Sequence, residues 1–332
     1  MSELGAPHPH SNETLPKVPS GLGIGGRVVW AFLYLLPKNA ISRGAGWIAS
    51  RRLPARLQIL EIRAFAKMAG IDLSEAAKPV EAFVSLQSFF TRSLRLGARP
   101  LAGDSNTLNS PCDGTWGASG KIENGTLLQV KGRRYRVTDL LGSATASDAS
   151  DDADAYEGGY FATLYLSPRD YHRLHTPVAG VIRRIAYRPG GLWPVNDIGV
   201  LGVDGLFATN ERICAYLDPD CGKFGSTGSE ESVSPTEIVM VAVGATMVGS
   251  VKLSFDDLST NRGQVAEDRD FGSSAPHFDR GAEWGRFEFG STIVLLIPPN
   301  SFELDVKPVG TPLRLGEAIG HRASRSNVRP SI

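Results

Sequence analysis

The sequence has only three cysteines among its 332 residues, Cys112, Cys214 and Cys221, and none of them forms a C-x-x-C pair. Three cysteines cannot build a closed disulfide framework, and their spacing is not that of a zinc cluster. The formal net charge is zero, with 35 basic and 35 acidic residues. A nucleic-acid binder that works by neutralising phosphates in bulk is therefore not expected.

Long hydrophobic runs are also missing. The most apolar stretch, VVWAFLYLL at 28–36, has nine residues, whereas a helix needs about 20 to cross a bilayer. Residues 1–70 nevertheless carry nine basic side chains and only three acidic ones. This combination predicts an amphipathic helix that lies in the membrane interface with its arginines facing anionic headgroups. The alternative is an ordinary amphipathic helix that packs on the rest of the fold.

The chain changes character after Pro100. Before it, apolar residues recur at three- and four-residue spacing and predict helices over 57–70 and 80–94. After it, short β-branched runs alternate with Gly, Pro and Asp. The predicted strands lie at 160–167, 180–189, 237–255 and 285–298, and polar surface loops are predicted at 143–158 and 258–281.

These patterns predict an α+β protein in which N-terminal amphipathic helices precede a β-rich catalytic body. We divide the chain into a flexible tail at 1–20, a helical membrane-associating region at 21–98 and a β-rich catalytic domain at 99–332.

Two of the six histidines, His172 and His175, lie three residues apart in SPRDYHRLHTP. A zinc site would favour H-E-x-x-H on a helix, and the flanking Pro168 and Pro177 argue against a long helix here. We therefore expect no metal. Imidazole can accept and return a proton near neutral pH, so general acid–base chemistry is the better interpretation of the pair.

Two further residues could complete a catalytic set with a histidine. Asp113 lies in SPCDGTWG, either as an ordinary turn residue or as the carboxylate that orients an imidazole. The G-x-S-x-G signature of serine hydrolases is absent. The distinctive serine is Ser291, which follows Gly290 and interrupts an apolar strand. This interruption is either a simple glycine bulge or a point where the backbone is prepared for reaction.

Taken together, several motifs in this order resemble the phosphatidylserine decarboxylase family, in its membrane-associated bacterial form. The resemblance covers roughly residues 28–320. The motifs are LPKNAISRGAGWIASRRLP (36–54), FFTRSLRLGARPL (89–101), PCDG (111–114), YLSPRDYHRLHTPVAG (165–180), PVND (194–197), FATNER (207–212), VGATMVGSV (243–251) and GAEWGRFEFGST (281–292).

The resemblance implies a proenzyme that cleaves itself between Gly290 and Ser291. Ser291 would attack the carbonyl of Gly290 and end as a pyruvoyl group, the covalent cofactor, which forms a Schiff base with the substrate amine and accepts electrons as CO₂ leaves. It also implies that His175, oriented by Asp113, is the base for cleavage. For His172 we expect a role in returning a proton during decarboxylation.

The expected product is phosphatidylethanolamine, and the expected partners are phosphatidylserine, anionic lipids and the two cleaved chains, 1–290 and 291–332. A homodimer is left open. The expected location is peripheral, on the cytoplasmic face of the bacterial inner membrane. Two alternatives remain: a serine hydrolase with an Asp113/His175/Ser291 triad, and a non-enzymatic peripheral membrane adaptor.

Overall fold

The computed structural model describes residues 37–129, 133–142, 154–195, 197–219, 237–246, 250–288 and 290–323. The apolar run at 28–36 and the tail before it lie outside the described residues, so the interfacial helix expected there stays a prediction. Within the described ranges the α-helices are α1 Lys38–Ala49, α2 Ala55–Ala69, α3 Leu86–Phe90, α4 Val137–Leu141, α5 Asp197–Gly202 and α6 Leu206–Thr209.

Helix α2 confirms the helix predicted over 57–70. It begins after Pro54 and ends at Gly70, whose φ of +75° is a left-handed conformation that favours glycine. The helix predicted over 80–94 is wrong. Residues Val80–Ala82 form a single 3₁₀ turn, and α3 starts afresh after Ser85, whose hydroxyl accepts a hydrogen bond from the Ser88 amide. Because this capping box begins a helix, it interrupts the periodic pattern that the longer prediction used.

The helices have a small core of their own. Ile62 and Ala66, one turn apart on α2, are buried against Val80 and Phe89. The opposite side of α2 presents further apolar side chains to solvent. A helix that is apolar on both sides is unlike the usual surface helix, which is polar on its outer face.

The strands follow from residue 107 onward. Their bounds are β1 Thr107–Asn109, β2 Gly114–Lys121, β3 Thr126–Leu128, β4 Arg134–Arg136, β5 Tyr160–Tyr165, β6 Arg173–His175, β7 Gly180–Arg188, β8 Arg212–Asp218, β9 Ile238–Val243, β10 Val251–Leu253, β11 Glu267–Asp270, β12 His277–Phe278, β13 Glu283–Phe287, β14 Thr292–Ile297, β15 Phe302–Leu304, β16 Pro312–Leu313 and β17 Ala318–Arg322. Helices followed by a β-rich body confirm the predicted α+β class.

The largest sheet is antiparallel and has nine strands, in the order β11-β7-β8-β9-β14-β5-β2-β16, with β12 also paired to β7. A second sheet joins β10, β13 and β6, and a third joins β1, β17 and β15. The chain therefore passes from β13 in the second sheet to β14 in the centre of the largest one. The Gly290–Ser291 pair lies in that crossing.

Both faces of the large sheet are covered. On β14, Ile293 and Leu295 enter one apolar cluster, while Val294 and Leu296 enter the other. Because side chains alternate along a strand, a strand buried on both faces is apolar throughout, as TIVLLI is. The strands predicted from the apolar runs are confirmed, with the run at 285–298 divided between β13 and β14.

The polar loop predicted at 258–281 is wrong in part, because it contains β11 and β12. Strand β11 has the sequence EDRD and pairs with β7 at the edge of the large sheet. An edge strand is held by backbone hydrogen bonds and can be polar on both faces, so it lacks the apolar alternation on which the prediction relied. Residues 143–153 of the other predicted loop lie outside the described residues.

Candidate active site

The Gly290–Ser291 pair lies immediately before β14. The amide of Leu166 donates a hydrogen bond of 2.8 Å to the carbonyl of Ser291, which fixes the backbone against the end of β5. Ser291 is buried, and its hydroxyl has no hydrogen-bond partner among the described residues. A buried hydroxyl without a partner is unfavourable by about 1–3 kcal/mol. Its burial beside the glycine fits the nucleophile expected from the sequence.

His172 packs directly against Gly290. A β-carbon added to Gly290 would lie 2.3 Å from Nε2 of His172, so only glycine permits this approach. The imidazole is completely buried, and its ring centroid lies 4.0 Å from that of Phe90 on α3. The structure therefore places His172, of the two predicted histidines, in contact with the expected cleavage position.

The environment of His172 keeps its ring neutral. Burial, together with the smaller effect of the nearby charge of Arg92, lowers the pKa of His172 to about 3. Arg92 itself is buried, and its Nε and Nη1 have no hydrogen-bond partner among the described residues. A neutral imidazole near pH 7 can accept a proton, which a protonated one cannot.

His175 lies at the end of β6 in a different environment. Its Nδ1 is 2.8 Å from the carbonyl of Gly281, and its Nε2 is 3.1 Å from the hydroxyl of Tyr171. Because a carbonyl only accepts, Nδ1 carries the proton, and Nε2 accepts from Tyr171. Burial lowers the pKa of His175 as well. His175 is thus a neutral, oriented imidazole.

Asp113 does not orient His175 by direct contact in this structure. Its two carboxylate oxygens accept hydrogen bonds from Arg99, at 2.8 Å from Nε and 2.6 Å from Nη2, and Oδ1 also accepts from the amide of Leu315 at 2.8 Å. The ring nitrogens of His175 bond elsewhere, as described above. A charged, two-pronged arginine pair is a stronger interaction than a bond to a neutral imidazole, which explains why Arg99 holds this carboxylate.

The pairing of the large sheet relates the positions of Asp113 and Ser291. Thr115 on β2 and Thr292 on β14 both pair with Tyr165 on the intervening strand β5. Asp113 and Ser291 precede these two positions. Gly114 fits closely here, since an added β-carbon would lie 2.2 Å from the carbonyl oxygen of Tyr165. The two residues therefore lie at the same end of the three neighbouring strands β2, β5 and β14.

Two cavities flank Arg99. One, of about 250 Å³, is lined by Arg92, Arg99, Asp113 and Asp170, among others. The other, of about 340 Å³, is lined by Arg99, Tyr171, His175 and Leu315, among others. Arg99 thus lines both the cavity that contains Asp113 and the cavity that contains His175.

Sequence reasoning did not single out Arg92, Arg99 or Tyr171. All three lie inside motifs that carried the resemblance, FFTRSLRLGARPL and YLSPRDYHRLHTPVAG. An arginine that follows two phenylalanines at a helix end was the available signal for Arg92, because burial of such a charge requires a reason.

Comparison with known proteins identifies similar sequences over most of the chain. The family model for phosphatidylserine decarboxylase matches residues 86–321. The chain is 38% identical to the phosphatidylserine decarboxylase proenzyme of Brevibacillus brevis over 84% of this chain and 92% of that protein. It is also 38% identical to the proenzyme of Myxococcus xanthus, over 87% and 96% of the two chains, and to that of Anaeromyxobacter sp., over 90% and 99%.

A buried serine hydroxyl beside a glycine and an imidazole fits a self-processing carboxy-lyase. The chain belongs to the phosphatidylserine decarboxylase family. This membership confirms the expected activity, decarboxylation of phosphatidylserine, and the expected cofactor, a serine-derived pyruvoyl group.

Proposed function

We propose that this chain cleaves itself between Gly290 and Ser291 and then decarboxylates phosphatidylserine at an anionic membrane surface, giving phosphatidylethanolamine. The observation that carries the proposal is the buried Ser291 hydroxyl, without a hydrogen-bond partner among the described residues, next to a glycine that packs against the imidazole of His172. The pyruvoyl group, once formed from Ser291, supplies the carbonyl that binds the substrate amine and the electron sink for loss of CO₂.

Self-cleavage needs a base and a fixed backbone. The Ser291 hydroxyl would lose its proton as its oxygen attacks the Gly290 carbonyl carbon, and the bond from that carbon to the Ser291 nitrogen would break. The hydrogen bond from Leu166 to the Ser291 carbonyl holds the backbone on the carboxyl side of the bond. This would give an ester between the Gly290 carbonyl and the Ser291 oxygen, with a free amine at residue 291. Loss of the Ser291 Cα proton would then break the Cβ–Oγ bond and release the chain 1–290 with a carboxylate at Gly290. Water would convert the imine left at residue 291 into the pyruvoyl ketone with release of ammonia, and 291–332 would remain anchored by β14.

The roles of the two histidines follow from their positions. We assign cleavage to His175 with Asp113, on the resemblance, and its support here is a neutral ring whose Nε2 accepts from Tyr171. We assign proton return during decarboxylation to His172, and its support is the contact with Gly290, the neighbour of the residue that would become the pyruvoyl group. Arg99, which holds the Asp113 carboxylate, is a positioning residue.

Membrane attachment is supported by the helices. Apolar side chains of α1, α2 and their connection are exposed: Ile41, Trp47, Ile48, Leu53, Leu57, Leu60 and Met68. None of the helices in the described ranges is long and apolar enough to cross a membrane. Exposed apolar side chains flanked by arginines fit peripheral attachment to anionic lipid. We therefore place the protein on the cytoplasmic face of the bacterial inner membrane.

One experiment separates this function from the other candidates. The purified protein is run on a denaturing gel and its intact mass is measured, alongside the variant Ser291→Ala. We expect two chains from the wild type, with the smaller one reactive toward a carbonyl reagent, and one inactive, folded chain from the variant. A single wild-type chain that reacts with a serine-directed phosphonate would support a hydrolase. A single chain that reacts with neither reagent would support an adaptor.

A further inference from the structure

A third cavity, of about 310 Å³, lies between α1 and the second sheet. Its lining includes Arg43 from α1, Gln87 from α3, Ser250, Lys252, Arg262 and Glu288. It is distinct from the two cavities around Arg99, because it shares no lining residue with either of them.

The charge of this cavity is mainly positive. Glu288 is its one carboxylate, and that group is already bound by Lys252 at 2.7 Å and by the Ser250 hydroxyl at 2.8 Å. Arg43 and Arg262 have no hydrogen bond or ion pair among the described residues. Two guanidinium groups that line one cavity, one from α1 and one from the loop after β10, without a bonded carboxylate, fit an anionic ligand.

The nearest acidic groups outside the cavity are already engaged. Glu211 feels the charge of Arg43, but its Oε1 accepts from the Tyr187 hydroxyl at 2.6 Å and from the Asn261 amide at 2.7 Å. Asp257, which feels the charge of Arg262, is bound by Arg269 at 2.6 Å. Neither carboxylate is within ion-pair distance of the two cavity arginines.

The cavity also lies between the exposed helices and the reacting bond. Arg43 is one helical turn from Trp47, which is 60% exposed. At the other side, Glu288 precedes Gly290 by two residues. Helix α3 links the same regions, since Gln87 lines the cavity and Phe90 stacks on His172.

We propose that this cavity binds the phosphodiester of the substrate headgroup, with Arg43 and Arg262 donating to its non-bridging oxygens. The inference rests on the proposed function and extends it. In phosphatidylserine a short oxymethylene link joins the phosphate to the carbon that carries the amine and the carboxylate. A phosphate subsite is therefore expected close to the reacting residue and on the side where lipid enters. This cavity is lined by Glu288, two residues before Gly290, and by Arg43 of the exposed helix α1. Arginine binds phosphate oxygens in pairs, which fixes orientation as well as charge.

The test uses a soluble substrate, so that attraction to a charged membrane does not contribute. Glycerophosphoserine has the phosphodiester and the serine headgroup without acyl chains. We expect Arg43→Gln and Arg262→Gln each to raise its KM at least about tenfold, with a much smaller change in kcat, because each removes a charge-assisted contact to the phosphate. Arg43→Lys, which keeps the charge but loses the planar fork, should lie between the wild type and Arg43→Gln.

The matched control is Arg56→Gln on α2. Arg56 is an exposed cation of the same helical region and does not line the cavity. It should leave the KM for glycerophosphoserine unchanged, although it lowers binding to vesicles that contain phosphatidylserine. Equal KM values for the wild type and the Arg43→Gln/Arg262→Gln double variant would overturn the inference, and so would an equal rise in Arg56→Gln.

Inorganic phosphate tests whether the cavity binds any phosphoryl group or only the phosphodiester of the lipid headgroup. Competitive inhibition by phosphate that is lost in the double variant would show that phosphoryl oxygens alone are bound. A KM effect without such inhibition would show that the cavity takes the whole lipid headgroup, and either result supports the subsite. Self-cleavage is measured on every variant. A wild type that does not cleave defeats the proposed function, whereas variants that cleave normally with unchanged KM defeat only this inference.

Discussion

Helix α2 and strand β14 are both rich in leucine and isoleucine, but they use these residues in opposite ways. All six residues of β14 are buried. On α2, Leu60 and Met68 are exposed to 65% and 79%, although Ile62 between them is buried. Exposed apolar surface on one element of a well-packed protein indicates an external apolar partner. The difference separates the region that we propose meets the lipid from the region that holds the proposed cleavage bond.

The two regions nevertheless meet, and one of the contacts between them lies at α3. Phe89 belongs to the small helical core, and the next residue, Phe90, stacks on His172 in the active site. Arg92 follows at the end of the same short segment and contributes to the low pKa of His172. Helix α3 therefore connects the lipid-facing helices to the imidazole beside Gly290. Substitutions on either side of α3 show how independent the two regions are.

The largest expected effect comes from substitutions at the candidate active site. We expect His175→Ala and Asp113→Asn to block or greatly slow self-cleavage, because the first removes the proposed base and the second removes the charge that Arg99 holds in place. His172→Ala should cleave at least partly but decarboxylate poorly. The measurement is the fraction of cleaved chain over time, followed by the rate of CO₂ release from the cleaved fraction.

The opposite pattern would exchange the two roles. If His172→Ala failed to cleave while His175→Ala cleaved normally, the imidazole that touches Gly290 would be the base for cleavage. Tyr171→Phe is the matched control for His175→Ala. It keeps the imidazole of His175 and removes only the Tyr171 hydroxyl that donates to Nε2. It should slow cleavage less than His175→Ala does.

The sequence could predict those helices and strands that depend on a local pattern of residues. Helix α2 follows from its apolar spacing and from the glycine at its end. Strand β14 follows from its unbroken apolar run. The break at Gly290–Ser291 was visible for the same reason. The sequence also singled out Asp113, His172, His175 and Ser291 as candidates, through their residue types and the family resemblance.

The arrangement of those candidates was less predictable. Arg99 takes the Asp113 carboxylate because an irregular segment after α3 brings it there, and no periodic pattern describes such a segment. The contact between His172 and Gly290 depends on the pairing of β6 with β13 and of β5 with β14. Pairings between distant strands come from the whole fold, so a local pattern could not supply them.

A second test compares two leucines. Leu295→Ala in β14 should lower the free energy of unfolding by about 2–5 kcal/mol, because it leaves a cavity in a core that is buried on both faces. Leu60→Ala on α2 should change it by no more than about 0.5 kcal/mol, since that side chain is mostly exposed. Urea unfolding in the uncleavable Ser291→Ala background measures both. Similar losses would mean that Leu60 is buried in solution.

A third test addresses the exposed region. We expect Trp47→Asp combined with Ile48→Asp to reduce sedimentation with anionic vesicles strongly, because both side chains are exposed on α1. Self-cleavage and turnover of glycerophosphoserine should remain. Salt should weaken but not abolish binding of the wild type, since only its electrostatic part is screened.

The control for this test lies in the β-rich body. Val306 and Val309 are similarly exposed apolar residues there, and Val306→Asp with Val309→Asp should sediment like the wild type. Loss of vesicle binding in both double variants would mean that the lipid contact is not confined to the helices. Failure of the α1 variant to cleave would mean that the helices support the active site, contrary to the separation drawn here.

The last expected effect is the pH dependence of stability at His172. Its pKa is about 3 in the folded protein and near 6.5 when unfolded, so the unfolded chain binds the extra proton between these values. The stability that depends on the neutral ring is therefore complete above about pH 6.5 and is lost as the pH falls toward 3. In the Ser291→Ala background, His172→Gln should flatten this loss by up to about 1.4 kcal/mol per pH unit. Equal slopes with and without His172→Gln would show that His172 takes up its proton as easily in the folded protein as in the unfolded one, and complete burial of its ring would then be wrong.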